Sequence, residues 1–251
     1  MITINGNAAP VNEIAARYTS GGIESSCVRA LAQSGARYDY PSVNVLDFEL
    51  AMRREIVNSA ARLLRSGLRF EVFRDSYCNM RYWVRTMDGG FDLRPGAQPS
   101  AAVRDIYQNG TAYGTECATA MQIVYFGALI AVVGDAAFDR AFSGISLMNW
   151  HKLTRALAET GSMRQFPDYL AGDRRYFANP DVNLLTPEWQ GENVIDMGDG
   201  SYYGHGVGRL SGGEIIANLN QNRRPASQRG AYLMQSAGRP DFVKLYQMFG
   251  R

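Results

Sequence analysis

Cys117 stands at the join between a glycine-rich turn, Gly110-Thr-Ala-Tyr-Gly-Thr-Glu116, and the most apolar stretch of the chain, Met121 to Val133. If that stretch is a helix, the thiol lies in its first turn. Thr115 is then the expected N-cap, its side-chain oxygen accepting a free backbone N–H. Free N–H groups and the positive end of the helix dipole favour thiolate there. A thiolate is the nucleophile that acyl transfer needs. The alternative for the same residue is a small buried cysteine that packs like any apolar group.

A cysteine nucleophile needs a base close to it in space. The chain has two histidines, His151 and His205. His205 has glycine on both sides, which lets other groups approach closely; His151 follows Trp150 at the end of a candidate strand. Glu192 is the carboxylate of interest. If Asp199-Gly200 forms a two-residue hairpin turn, Val194 lies opposite His205, and Glu192 is diagonal to it on the same face. A three-residue loop would reverse that parity. Partial burial near Trp189 would raise the pKa of Glu192 and let it exchange a proton with a thiol. Glu116, beside Cys117, is either a favourable negative charge at a helix start or a second base. Trp150 and Trp189 are candidate walls of a substrate slot, although tryptophan is more often core.

Several elements must position these groups. Apolar residues at Leu46, Leu50, Val57, Ala60 and Leu64 predict a helix from Ser42 to Ser66, stopped at Gly67. Strand-like segments follow at Leu68–Phe73, Met80–Arg85 and Phe91–Arg94, with Asp88-Gly89-Gly90 as a hairpin between the last two. A helix from Pro99 to near Gly110 precedes the Cys117 helix, which closes at Gly134. Further helix is expected at Asp135–Phe142, a strand at Ile145–Trp150, and an irregular region from Gly161 to Pro187. Strands around Glu192 and Tyr202 then flank Gly198-Asp-Gly200, and the tail carries helical patterns at Gly213–Asn222 and Ala231–Phe249. Residues 1–40 read as an irregular arm with one short helix around Val11–Tyr18. The expected architecture is a single α+β domain over 1–251, its central helix packed on a mostly antiparallel sheet.

Composition narrows the class. The 251 residues are 46% hydrophobic and 20% charged, with a net charge of +2, which gives no reason to expect nucleic acid or an acidic membrane as partner. Cys27, Cys78 and Cys117 lack metal-ligand spacing, so no metal site is expected. The amino terminus lacks a secretory signal, and the apolar run after Cys117 is interrupted by Gln122 and Gly127 and short for a membrane span. Synthesis in the cytosol is the expectation.

Three segments carry a resemblance. Thr115-Glu-Cys-Ala-Thr-Ala120, Trp189-Gln-Gly-Glu-Asn-Val-Ile195 and Gly204-His-Gly-Val-Gly208 look like hallmark segments of the spore-coat transglutaminases of endospore-forming bacteria, which are protein-glutamine γ-glutamyltransferases. Weaker similarity runs from about Tyr38 onward in the same order. The resemblance implies a papain-like, NlpC/P60-type core with Cys117 as nucleophile and Glu192 as acid/base. It further implies Glu116 as a partial substitute, His205 beside them, and no metal or organic cofactor. The implied substrates are glutamine and lysine side chains of proteins, coat proteins among them, acted on by a monomer at the spore surface. Asn149 departs from the family's pattern, standing where an Asp is expected before Trp150. Two other readings share the residues: a Cys/His peptidase or amidase of the NlpC/P60 type, and a non-enzymatic coat scaffold.

Overall fold

The computed structural model describes residues 1–150 and 152–250. Residues 1–40 are more ordered than an irregular arm. Strand β1 (Ile2–Ile4) pairs with β2 (Asn7–Ala8) and, in parallel, with β3 (Tyr38–Tyr40); helices α1 (Val11–Ala16) and α2 (Ile23–Gln33) run between them. Ile2, Val28 and Leu31 anchor these pieces in the main core. Strands this short show no alternation long enough to read from sequence.

Helix α3 (Val43–Arg65) starts where expected, with Ser42 Oγ accepting the Val45 N–H, and the chain leaves it through Gly67 at a φ of +83°. Leu46, Leu50, Val57 and Ala60 form the buried stripe; Leu63 completes it in place of Leu64, which is exposed. The strand expected over Leu68–Phe73 shrinks to β4 (Arg69–Phe70). Strands β5 (Trp83–Arg85) and β6 (Phe91–Leu93) form the expected hairpin, with Trp83 opposite Leu93. Helix α4 (Pro99–Gln108) leads through β7 (Gly114–Thr115), which pairs in parallel with β4, into α5 (Cys117–Val133). After Gly134 come α6 (Asp135–Ala141) and β8 (Ser146–Leu147), shorter than the strand expected over Ile145–Trp150.

The region expected to be irregular contains β9 (Arg174–Ala178), a central strand. It is followed by β10 (Gly191–Asp196), β11 (Ser201–Gly204), β12 (Gly208–Ser211), α7 (Gly212–Gln221), β13 (Tyr232–Leu233) and α8 (Phe242–Phe249). The tail helix expected over Ala231–Phe249 is therefore confined to its last part. Ser211 and Glu214 cap α7 reciprocally. Strands β12-β11-β10-β9-β13 form one antiparallel sheet. Ile195 and Tyr203 join the core built by α3 and α5, whereas Val194 and Phe177 meet Ile215 and Leu219 of α7. The alternation of β10 thus separates two cores, and α5 packs on the mostly antiparallel sheets as expected. Among the described residues no helix is long and apolar enough to cross a membrane.

Helix α3 is tied to β9 by charge. Arg53 is fully buried, its Nε donating to Glu49 at 2.8 Å and its Nη1 to Asp173 at 2.9 Å and to the Ala171 carbonyl at 3.0 Å. Arg239 Nη2 adds a second bond to Asp173 at 2.6 Å. Removing one member of such a set leaves buried charge without its counterpart. Arg53→Met is expected to lower stability by about 3–5 kcal/mol, read as a fall in thermal and urea midpoints; an unchanged midpoint would show that the network contributes nothing.

Candidate active site

Cys117 is the first residue of α5, and its cap is Glu116 rather than Thr115. Glu116 Oε2 accepts the Ala118 N–H at 2.6 Å, and Oε1 accepts the N–H and the hydroxyl of Thr119, each at 2.6 Å. Thr115 ends β7, and its carbonyl accepts the Glu71 N–H at 3.0 Å. The Thr119 hydroxyl also accepts the Asn149 N–H at 2.9 Å, which joins the cap to the Trp150 segment. Asn149 holds a φ of +45°, a left-handed conformation that Asn and Asp both tolerate. The departure at 149 is therefore accommodated in the backbone.

These bonds change the expectation for the thiol. Glu116 occupies the helix donors that were expected to favour thiolate. Burial first, and then the charges of Glu192 and Glu116, push the Cys117 thiol well above its ordinary pKa. Hydrogen bonds from Asn193 pull the other way and do not win. The resting sulfur is a neutral thiol.

Asn193 is the group that touches that sulfur, with Nδ2 donating to Sγ at 3.5 Å. Strand parity explains this: Asn193 shares the α5-facing side of β10 with Ile195. Glu192 points to the other side, where Gly204 of β11 leaves it room. A Cβ at Gly204 would lie 2.7 Å from Glu192 Oε1. The carboxyl is buried, its Oε1 has no hydrogen-bond partner among the described residues, and burial followed by the Glu116 charge raises its pKa well above the ordinary range. A carboxyl in such a site is held ready to exchange a proton.

The hairpin register corrects the expected pairing. Val194 lies opposite Gly204, not His205, because Met197 pairs with Ser201 across a three-residue loop, Gly198–Gly200. His205 follows the last paired residue of β11. Its Nε2 lies 3.1 Å from both the Arg69 and the Thr115 carbonyls. Both partners are acceptors, so Nε2 carries the proton. Burial lowers the imidazole pKa to about 4, which keeps the ring neutral. It makes no hydrogen bond to Cys117 among the described residues, and it clips β4 to β7 just ahead of Cys117. The flanking glycines do admit close neighbours: Glu192 at Gly204 and the Phe70 ring at Gly206. His151 lies outside the described residues.

A cavity of about 680 Å³ opens onto Cys117, with Trp150, Arg174, Tyr176 and Phe73 in its walls. A smaller one of about 50 Å³ is lined by Glu192, His205, Trp189 and Val207, and Phe70 borders both. Trp150 and Trp189 thus stand in different chambers. Sequence reading missed Asn193 and Arg174. Asn193 is the neighbour of Glu192 in the Trp189–Ile195 segment, and Arg174 lies in the stretch expected to be irregular.

A family model described as "Protein-glutamine gamma-glutamyltransferase" matches residues 1–249. The chain belongs to the protein-glutamine gamma-glutamyltransferases. It is 37% identical over 251 residues to the Bacillus pumilus (strain SAFR-032) member, with both chains covered completely. It is 42% identical over 206 residues to the Bacillus cereus (strain G9842) member, covering 81% of this chain and 73% of that one. The solved transglutaminase from Geobacillus stearothermophilus (without C-terminal extension) is 39% identical at a TM-score of 0.77, covering 83% of this chain and 99% of that one. The protein is a cross-linking acyltransferase of the transglutaminase type, which uses a catalytic cysteine.

The raised Glu192 pKa has a consequence for this transglutaminase's stability. In the unfolded chain Glu192 ionises in the ordinary carboxylate range, whereas in the fold it stays protonated to higher pH. Stability is therefore lost as pH rises through that interval. Glu192→Gln removes the titration. The variant is expected to gain about 1–2 kcal/mol over wild type in alkaline buffer and little in acid, measured by urea unfolding across pH. A gain equal at all pH values would refute the raised carboxyl.

Proposed function

We propose that this chain is a calcium-independent protein-glutamine γ-glutamyltransferase that joins glutamine and lysine side chains through a Cys117 thioester. The observation that carries this reading is a thiol that opens onto a cavity of about 680 Å³, hydrogen-bonded to the Asn193 amide and within electrostatic reach of the buried Glu192 carboxyl. Cys117 attacks a glutamine carboxamide as Glu192 takes the thiol proton, and two donors receive the developing oxyanion: the Asn193 amide and the Cys117 backbone N–H. Glu192 returns the proton to the departing ammonia, leaving the thioester. A lysine amine then attacks, Glu192 removes its proton and passes it to the departing sulfur, and the isopeptide bond forms with the thiol restored. A neutral thiol suits this order of events: once Glu192 has ionised, proton transfer and attack occur together, and no thiolate has to be stored beside the carboxylates.

Glu116 serves first as helix cap and stands near enough to the thiol to substitute in part for Glu192. His205 acts by holding the Thr115 and Arg69 carbonyls, and so the start of α5. Trp150 and Trp189 wall the approach to the sulfur and the carboxyl, and exclude water that would hydrolyse the thioester. The context of this reading is a monomer acting on spore-coat proteins, without metal or cofactor. The peptidase reading asks for an imidazole base, and the low pKa of His205 and its two carbonyl partners argue against that role.

The test is incorporation of a fluorescent primary amine into a glutamine-containing protein without calcium. Wild type is expected to label the acceptor, and Cys117→Ala to abolish labelling. The rate should climb with pH beyond the ordinary carboxylate range, because Glu192 must be charged to take the thiol proton. Glutamine deamidation or peptide cleavage that is equally fast without amine would establish a hydrolase instead. Well-folded wild type with neither activity would leave a scaffold.

A further inference from the structure

Arg174, at the start of β9, is a buried cation with no carboxylate within salt-bridge distance among the described residues. Its bonds run elsewhere. Nη1 donates to Asn193 Oδ1 at 2.7 Å and Nε to the Thr160 carbonyl at 3.0 Å. The guanidinium carbon lies 4.2 Å from the centre of the Trp150 ring. On another side Gly238 leaves space that a Cβ would take, 2.9 Å from Nη2 and 3.0 Å from Nε. Nη2 itself has no hydrogen-bond partner among the described residues. The group is held by stacking and by two directed bonds, in the wall of the Cys117 cavity.

The register explains how it reaches Asn193. Arg174 pairs with Ile195, so Asn193 is its diagonal neighbour on the same face of the sheet. The two ends of a carboxamide have nearly the same shape, so packing alone does not decide which one faces the sulfur. A guanidinium can only donate, so Arg174 decides it. With Oδ1 turned to Arg174, the NH2 end must point to Sγ.

We propose that Arg174 is a positioning residue for acyl transfer: it fixes the orientation of the Asn193 amide so that its NH2 group meets the oxyanion of the tetrahedral intermediate. This rests on the acyl-transfer reading above. The bond to a cation also polarises the amide and makes its N–H a better donor as negative charge grows on the substrate oxygen. The tryptophan stack and the Thr160 carbonyl keep the guanidinium from swinging into the cavity when substrate enters. Trp150 thus has a task besides walling the slot.

The experiment is a double-mutant cycle on Arg174→Met and Asn193→Ala, with a small glutamine-containing peptide as donor and a primary amine as acceptor. Each single variant is expected to lose kcat by about 10- to 100-fold, with KM for the peptide within about threefold of wild type. The double variant should be no slower than the slower single one, because the two side chains act as one unit. Asn193→Asp adds a separate readout: it keeps an oxygen for Arg174 and the fold, yet loses the donor, so kcat should fall with no loss of melting temperature. Losses that multiply in the double variant, or wild-type kcat in Asn193→Asp, would overturn the proposal. If Arg174→Met does not fold, Arg174→Lys is measured in its place. The lysine keeps the charge without the fixed fork, and wild-type kcat in that variant would also count against orientation by Arg174. Wild type that releases ammonia but never couples the amine would sink the transferase reading alone, since the same cycle then reads on hydrolysis.

Discussion

Helix α5 has no wet face. Every residue from Ala118 to Ile130 is buried, so the rest of the chain must enclose this helix before anything else can be arranged. Helices α3, α4 and α6 and strand β10 do so. Because its flanks are sealed, substrate can meet the helix only at an end. Its first residue is the cysteine. The position of Cys117 is thus a by-product of hydrophobic burial, which leaves the sulfur half-buried at the end of the helix that opens onto a partly polar cavity.

From that position the electrostatics follow. A half-buried thiol beside two carboxyls cannot ionise cheaply, and a buried carboxyl beside another cannot either. Both pKa values are raised, which favours the neutral form of Cys117 and of Glu192. The surrounding fold makes room for polar groups that it leaves incompletely paired: bare glycine at 204 for the Glu192 carboxyl, and an unbonded Oε1. Such features cost stability, and they persist because the ion network of Arg53, Glu49, Asp173 and Arg239 ties α3 to the strand that begins one residue later. Structural charges and reactive charges occupy adjoining parts of the same sheet. The first set is paired and the second is not.

Local signals in the sequence were reliable where one residue type decides the outcome. Gly67 and Gly134 end helices, Ser42 begins one, and Asp88-Gly89-Gly90 turns a hairpin. The same holds for the position of Cys117 at a helix start. What escaped depended on tertiary partners. Strand β9 reads as polar because it opens with two arginines, yet both are buried, stacked on Trp150 and Tyr169 and bonded to carbonyls. The cap fell to Glu116 because a longer side chain can reach two first-turn N–H groups and a hydroxyl, a choice that Thr115 loses once its backbone joins β7. The hairpin register turned on one residue in the loop after Met197, and that residue put Gly204 rather than His205 opposite Val194.

Keeping the nucleophile as a thiol has an effect outside the catalytic cycle. Peroxide and foreign disulfides react with thiolates, and a protonated, enclosed sulfur offers them little. Reactivity appears only when a carboxamide is in place and a carboxylate is ready to receive the proton. The raised pKa that delays ionisation therefore also slows attack on the sulfur by adventitious oxidants.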